Sequence, residues 1–233
     1  MPYELWYWPG IPGRGEFVRL SLEAGGIDYV DQAFENPDAL SGDIGKRVPE
    51  PFAPPYLVAG DLVIGQVANI LLFLGEEHGL GPKDKAGRYL AHQIELTITD
   101  MVAEAHDTHH PVELMSYYEE QKPEAKRRAA DFRDNRIPKY LGWFERALER
   151  SSGEWLTGDR WSYADLSLFQ LVEGLRYAFP KRMKTLESGW PKLTGLRDRV
   201  ADLPELQAYL ASDRRQAFST QGIFRHYPEL DGA

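Results

Sequence analysis

The pattern of apolar and polar positions divides the chain near residue 80. In the first part, Tyr3-Glu4-Leu5-Trp6-Tyr7-Trp8 is rich in aromatics, carries a single charge and stops at Pro9-Gly10, which predicts a strand. Phe17, Leu20 and Ala24 recur at helical spacing from Glu16 onward, and Gly25-Gly26 closes that helix. Tyr29 to Phe34 reads as a second short strand, and Asn36 to Pro51 as loop or short helix. Two adjacent prolines, Pro54 and Pro55, lead into an apolar run that an Ala-Gly-Asp turn joins to another, ended by Gly65. That is a hairpin by its turn residues, and the Pro-Pro bond is a plausible cis peptide. An apolar helix-like segment follows from Gln66 to Leu74, and the free N–H groups at its start suit a carboxylate. Strand, helix, strand, irregular segment, hairpin and helix make a small α/β unit with antiparallel strands in it.

Gly79 to Asp84 reads as a linker, and beyond it the period is helical throughout. Arg88 to His106 carries Leu90, Ile94, Ile98, Met101, Val102 and Ala105 on one face, and Pro111 ends it. Pro123 to Arg150 is a second long helix in which Pro138 predicts a kink or break. Ser162-Tyr163-Ala164-Asp165 is a capping box, with Ser162 expected to cap the Asp165 N–H. Helices over Leu193 to Arg199 and Pro204 to Ser212 complete the half. The domains expected are 1–79 (α/β), 86–219 (all-helical) and a C-terminal tail over 220–233.

Composition narrows the chemistry. The 233 residues include no cysteine, which removes disulfides, thiolate metal sites and a protein thiol nucleophile, and fits a reducing cytoplasm. A net charge of −9 opposes binding to nucleic acid or anionic lipid. The longest apolar run, from Val67, is far too short to span a bilayer, and no signal peptide is evident at the N-terminus.

Three motifs in order carry a family resemblance. They are Leu5-Trp6-Tyr7-Trp8 with Gly13-Arg14-Gly15-Glu16-Phe17-Val18-Arg19, the bracket Pro55-Tyr56-Leu57…Gly60-Asp61-Leu62…Gln66, and the Ser162–Asp165 capping box. With the α/β-to-helical division, the chain resembles a soluble glutathione transferase of the tyrosine type (alpha, mu, pi, sigma). The resemblance implies a thioredoxin-like N-terminal domain, an all-α C-terminal domain, a homodimer, glutathione as co-substrate and no metal. The activity implied is conjugation of glutathione to an apolar electrophile. The alternatives are glutathione-dependent disulfide or peroxide reduction, and a non-catalytic binding protein on the same fold.

Carried over residue by residue, the resemblance makes Tyr7 the donor to the glutathione thiolate. Arg14 becomes a positive charge near the sulfur, although it could equally pair with Glu16 or Glu23. Gln66 and the N–H groups at Val67 hold the γ-glutamyl carboxylate, and Asp100 reaches the γ-glutamyl amine from the partner subunit. Lys46 is placed for the glycyl carboxylate, with Lys46 or Arg47 as plain surface charge the competing reading. Two positions depart from the family pattern. Val67 stands where a hydroxyl residue is usual, and Pro54 occupies the place whose N–H and C=O hold the cysteinyl backbone if Pro55 is the cis proline; if Pro54 is, Ala53 keeps the donor. His106, His109 and His110 have helical spacing that superficially suits a metal. The expected role is instead to line the electrophile pocket with Tyr117 or Tyr118 and Phe218, Phe224 and Tyr227, aromatics that could equally just pack the tail down.

Overall fold

A computed structural model describes residues 2–232. The N-terminal region is a four-stranded mixed sheet built from β1 (Tyr3–Trp6), β2 (Tyr29–Asp31), β3 (Tyr56–Ala59) and β4 (Leu62–Gly65). The spatial order is β2-β1-β3-β4, with β1 parallel to β2 and antiparallel to β3. Helix α1 (Gly15–Ala24) makes the crossover, and Gly60, with φ of +62°, turns the β3–β4 hairpin. Helix α4 (Val67–His78) leaves the hairpin and packs beside α1.

Two strands, β2 and β1, end earlier than the pattern read in the sequence. β2 stops at Asp31, because the Asp31 carboxylate accepts the Ala33 N–H and starts the short helix α2 (Gln32–Glu35). A further helix, α3 (Ala39–Asp43), lies in the segment before the hairpin. β1 ends at Trp6, so Tyr7 and Trp8 stand beyond the ladder.

All further regular structure among the described residues is helical, apart from one isolated bridge at Trp155 and Gly158. Asp84 caps α5 (Lys85–Asp107) through the Gly87 N–H. The long helix expected to kink or break at Pro138 is α6 (Lys122–Asp131) and α7 (Ile137–Arg150), joined by a π-type turn over Phe132–Arg136. Proline just inside α7 lacks the N–H needed to continue the ladder backward, which accounts for the wide turn before it. Central helix α8 (Tyr163–Ala178) is buried almost throughout. Its start is the expected capping box, and the Ser162 hydroxyl also donates to the Asp165 carboxylate at 2.8 Å. The carboxylate also takes the Ser162 and Leu156 N–H groups. The remaining helices are α9 (Pro180–Leu186), α10 (Pro191–Ala201) and α11 (Pro204–Leu210).

A buried ionic cluster fastens α1 to the helical half. Arg19 and Glu16 are both fully buried. Arg19 donates to Asp31 at 2.5 Å, while Glu16 accepts from Tyr209 at 2.5 Å and from Arg215. The C-terminal segment folds back over the helices: Phe224 lies against Gly174, and Asp231 takes the Lys181 and Arg182 N–H groups.

Candidate active site

Tyr7 emerges from the carboxyl end of β1 and is 4% exposed. The segment Gly13-Arg14-Gly15 runs tightly along its ring. A Cβ on Gly13 would lie 2.2 Å from the Tyr7 hydroxyl, and one on Gly15 2.6 Å from the ring. Gly13 also has φ of +43°, so both contact and conformation demand glycine there. The Arg14 N–H donates to Tyr7 Oη at 2.8 Å, which leaves the hydroxyl hydrogen to donate outward. Burial pushes the phenol above its ordinary pKa, while the Arg14 N–H and the charges of Arg14 and Arg19 pull it back. Tyr7 is therefore a protonated donor at neutral pH. Against a thiolate such a bond is worth about 1.5–3 kcal/mol, which lowers a thiol pKa by about 1–2 units. Among the described residues the Arg14 side chain pairs with no carboxylate, because Glu16 and Glu23 are taken by Arg19, Arg215 and Arg214.

The sheet also forms an aromatic wall. Trp6 stacks on Tyr56 at 5.9 Å, and the Arg47 guanidinium lies 5.1 Å from the Trp6 ring centroid. Tyr56 donates to Asp43 at 2.5 Å, and Arg47 donates to the same carboxylate at 2.8 Å. Burial pushes the Asp43 carboxyl up, but those two hydrogen bonds outweigh it and hold it below its usual range. A hollow of about 160 Å³ lies here, with Trp8, Asp43, Arg47, Phe52, Pro54 and Tyr56 on its walls. A larger hollow, of about 540 Å³, opens at Tyr3 and Gly25–Asp28, the opposite end of β1 from Tyr7. Lys46 is exposed and lines neither; Arg47, one residue on, faces the smaller but already pairs with Asp43 and Glu4.

The Pro54–Pro55 peptide is cis, so Pro54 is the residue ahead of that bond. It contributes a carbonyl and no N–H. After the hairpin, Gln66 is the one non-glycine among the described residues with positive φ, at +69°. No side chain caps α4, so its first N–H groups are open to an acceptor. Val67 is 6% exposed and its side chain belongs to the hydrophobic core, which leaves its backbone N–H as its polar contribution. Asp100 is exposed on α5 and forms no ion pair among the described residues.

His106, His109 and His110 come together at the end of α5, with ring centroids 4.8 to 5.0 Å apart. His106 is half-buried and His109 fully buried. Burial, with help from nearby cations, holds His106 down at about 4 and His109 at about 3. The charge of Arg14 acts on His106, placing this cluster on the Tyr7 side of the helical half. The aromatics named with it mostly pack the tail. Tyr227 stacks on Tyr118 at 3.9 Å, Phe218 on Tyr177 at 5.2 Å, and Phe224 is buried; Tyr117 alone of the group is exposed.

Sequence reasoning missed the Asp43–Arg47–Tyr56 cluster. Asp43 and Arg47 are spaced i, i+4 across an irregular segment, and only the fold brings Tyr56 to them.

A mixed sheet with a cis proline before its hairpin, a tyrosine at the end of its first strand and a helical second half define a two-part architecture, a thioredoxin-like unit followed by a helical domain. Residues 106–213 match the family profile described as glutathione S-transferase, C-terminal domain. Glutathione S-transferase P 1 of Xenopus laevis is 28% identical over 218 residues, covering 91% of this chain and 93% of that protein. The pi-class glutathione S-transferase of Onchocerca volvulus superposes with a TM-score of 0.76 at 22% identity, covering 97% of this chain and all of that one. A glutathione S-transferase of the hookworm Necator americanus, described as monomeric, superposes at 0.71 with 19% identity over 94% of this chain and all of its own. The chain is thus similar over most of its length to glutathione S-transferases of the pi, mu and alpha type.

Proposed function

We propose that the protein is a glutathione transferase that joins the thiolate of glutathione to an apolar electrophile. The observation that carries this is the Tyr7 hydroxyl, held by the Arg14 N–H at 2.8 Å with its own hydrogen free to donate. In this reading the cysteinyl sulfur sits against Tyr7 Oη, and the open N-terminus of α4 beside Gln66 receives the γ-glutamyl carboxylate. The glycyl end enters the hollow bounded by Trp8, Arg47 and Tyr56, near Lys46. Asp100 completes the γ-glutamyl site from a second copy, which makes the working unit a homodimer. The domain limits at residues 79 and 86 and the tail from 220 follow the same division of labour between glutathione and electrophile.

The test is Tyr7→Phe, assayed with glutathione and a chlorodinitrobenzene. Losing a donor worth about 1.5–3 kcal/mol to the thiolate should slow conjugation by about 10- to 100-fold at neutral pH. The bound thiol should titrate about 1–2 units higher in the variant. An unchanged rate and an unchanged thiol titration would exclude Tyr7 from the chemistry.

Pro54 supports a second reading, a binding protein with weak chemistry. The missing N–H removes one hydrogen bond to the cysteinyl backbone, about 1 kcal/mol or fivefold in affinity. Thermal-shift titration with glutathione, oxidised glutathione and an S-alkyl glutathione separates the two. A catalyst is stabilised by glutathione and its S-alkyl derivative, because a ligand that binds only the folded state raises the melting temperature. Stabilisation by none of the three would favour the binding protein.

A further inference from the structure

The three histidines at the end of α5 have a geometry that neither the thiol chemistry nor tail packing requires. We propose that His106, His109 and His110 form a site for one divalent transition-metal ion of the zinc, copper or nickel class. One nitrogen from each ring lies within 4.8 Å of one from each of the others. The site does not depend on the reading of Tyr7 and takes no part in it.

The hydrogen bonds around the cluster leave one ring nitrogen free on each of two histidines. His109 Nε2 lies 2.7 Å from the Ile223 carbonyl oxygen, and His110 Nδ1 lies 3.0 Å from the Ser116 carbonyl oxygen. A carbonyl only accepts, so each of those nitrogens carries the hydrogen. In the neutral ring the lone pair then sits on His109 Nδ1 and on His110 Nε2. An N–H turned back onto a carbonyl is the arrangement that orients a metal-ligating imidazole and raises its basicity. His109 is 1% exposed, and its Nδ1 has no hydrogen-bond partner. A buried lone pair without a donor is costly, and a metal ion satisfies it as a proton donor would.

Imidazole nitrogen selects the ion class, since calcium and magnesium demand oxygen ligands. With metal–nitrogen distances of about 2.0–2.1 Å, tetrahedral ligands stand about 3.3–3.4 Å apart, so a pair at the 4.8 Å limit must close by about 1.5 Å. His106 supplies the adjustment: it is half-buried, and among the described residues neither of its nitrogens is engaged in a hydrogen bond. The charged groups acting on the rings are Arg14 and Arg225. They oppose a bare dication and favour one whose fourth position holds an anion. Three protein ligands leave that position open. Because His109 is tied to Ile223, ligation would also couple the end of α5 to the C-terminal segment.

The test uses the full chain, stripped with a chelator and kept free of glutathione, whose thiol competes for metal. Titration with zinc chloride by calorimetry should saturate at one ion per chain and raise the melting temperature. Cobalt(II) should develop the intense visible bands of a tetrahedral nitrogen site. His106→Asn leaves both carbonyl hydrogen bonds intact and should weaken binding at least about tenfold. His110→Asn should do the same, while His78→Asn, remote from the cluster, should not. Circular dichroism of the metal-free variants establishes that they fold. Absence of saturable zinc binding would overturn the proposal, as would binding unchanged in both cluster variants or lost with His78→Asn.

Discussion

Glu95 is the residue most at odds with its surroundings. It lies on α5 facing α8, fully buried, with neither carboxyl oxygen in a hydrogen bond. Burial drives its pKa from 4.5 to about 8, against a small opposing pull from the Ser167 hydroxyl. A carboxyl raised on folding contributes stability below its unfolded pKa and loses it as pH rises through the folded one. His106 and His109 act in the opposite sense: their folded values, near 4 and 3, lie below the ordinary 6.5. The unfolded chain binds more protons at those histidines, so they add stability as pH rises toward 6.5. Of these three groups, Glu95 alone titrates between pH 6.5 and 8, and metal-free protein should lose stability there with a slope approaching about 1.4 kcal/mol per unit. Glu95→Gln should remove that slope, read from urea midpoints at several pH values; a slope retained in the variant would assign it elsewhere. Gln66 carries a different cost. At φ of +69° a non-glycine residue is strained by about 1–3 kcal/mol. Gln66→Gly should therefore raise the melting temperature while weakening glutathione binding, the expected trade where strain serves a ligand. The roles proposed for Tyr7 and Gln66 rest on the family resemblance, with their places before Pro9-Gly10 and after Gly65 setting the alignment. Glu95 was not legible in the sequence. It adjoins the apolar face marked by Ile94 and Ile98, and linear spacing does not show that α8 covers its side of the helix too.

At the scale of elements, α1 is held by charge as much as by apolar packing. Glu16 accepts from Tyr209 on α11 and from Arg215 beyond it, and lies 3.5 Å from Arg19. Removing one member leaves buried cations uncompensated, a loss of about 3–5 kcal/mol. Glu16→Ala should lower the urea midpoint accordingly with an unchanged slope, and a loss under about 1 kcal/mol would show the cluster to be dispensable. The same α1 carries Arg14 at its start, so the variant should also loosen the donor to Tyr7. The hairpin, α1, α4 and α5 could be read from periodicity and breakers, because each has a turn residue where its pattern stops. The early end of β2 depended on a side-chain cap at Asp31, and the division of α6 from α7 on where Pro138 falls in its helix. Both are local competitions between backbone partners that composition alone leaves open. Helix α9 is short, and three of its seven residues are basic; its start is fixed by Asp231 from the far end of the chain, a contact no local pattern carries.

At the scale of the molecule, the surface argues for a second copy. Phe52 is 97% exposed and Val48 88%, both on the segment before the hairpin. A hollow of about 270 Å³ between α5 and α7 is walled by Leu90, Ile94, Trp143 and Ala147. An exposed aromatic and an apolar hollow on the same chain are what an isologous contact would use, each copy giving a side chain and receiving one. The fold alone does not decide the matter, since the Necator americanus relative is described as monomeric. Sedimentation of Phe52→Ser should show a dimer weakened by at least about 30-fold, the cost of removing an aromatic anchor worth about 2 kcal/mol. Phe52 also borders the hollow proposed for the glycyl end of glutathione, so weaker glutathione binding in this variant alone would be ambiguous. Asp100 resolves it. If its carboxylate completes the site across the contact, Asp100→Asn weakens glutathione binding by about tenfold in the dimer, the value of one charge-assisted hydrogen bond. In the Phe52→Ser background, at a concentration where the chain is monomeric, the same change should have no further effect. Equal losses in both backgrounds would place Asp100 in its own subunit's site or outside any site, and the two-copy arrangement would fail.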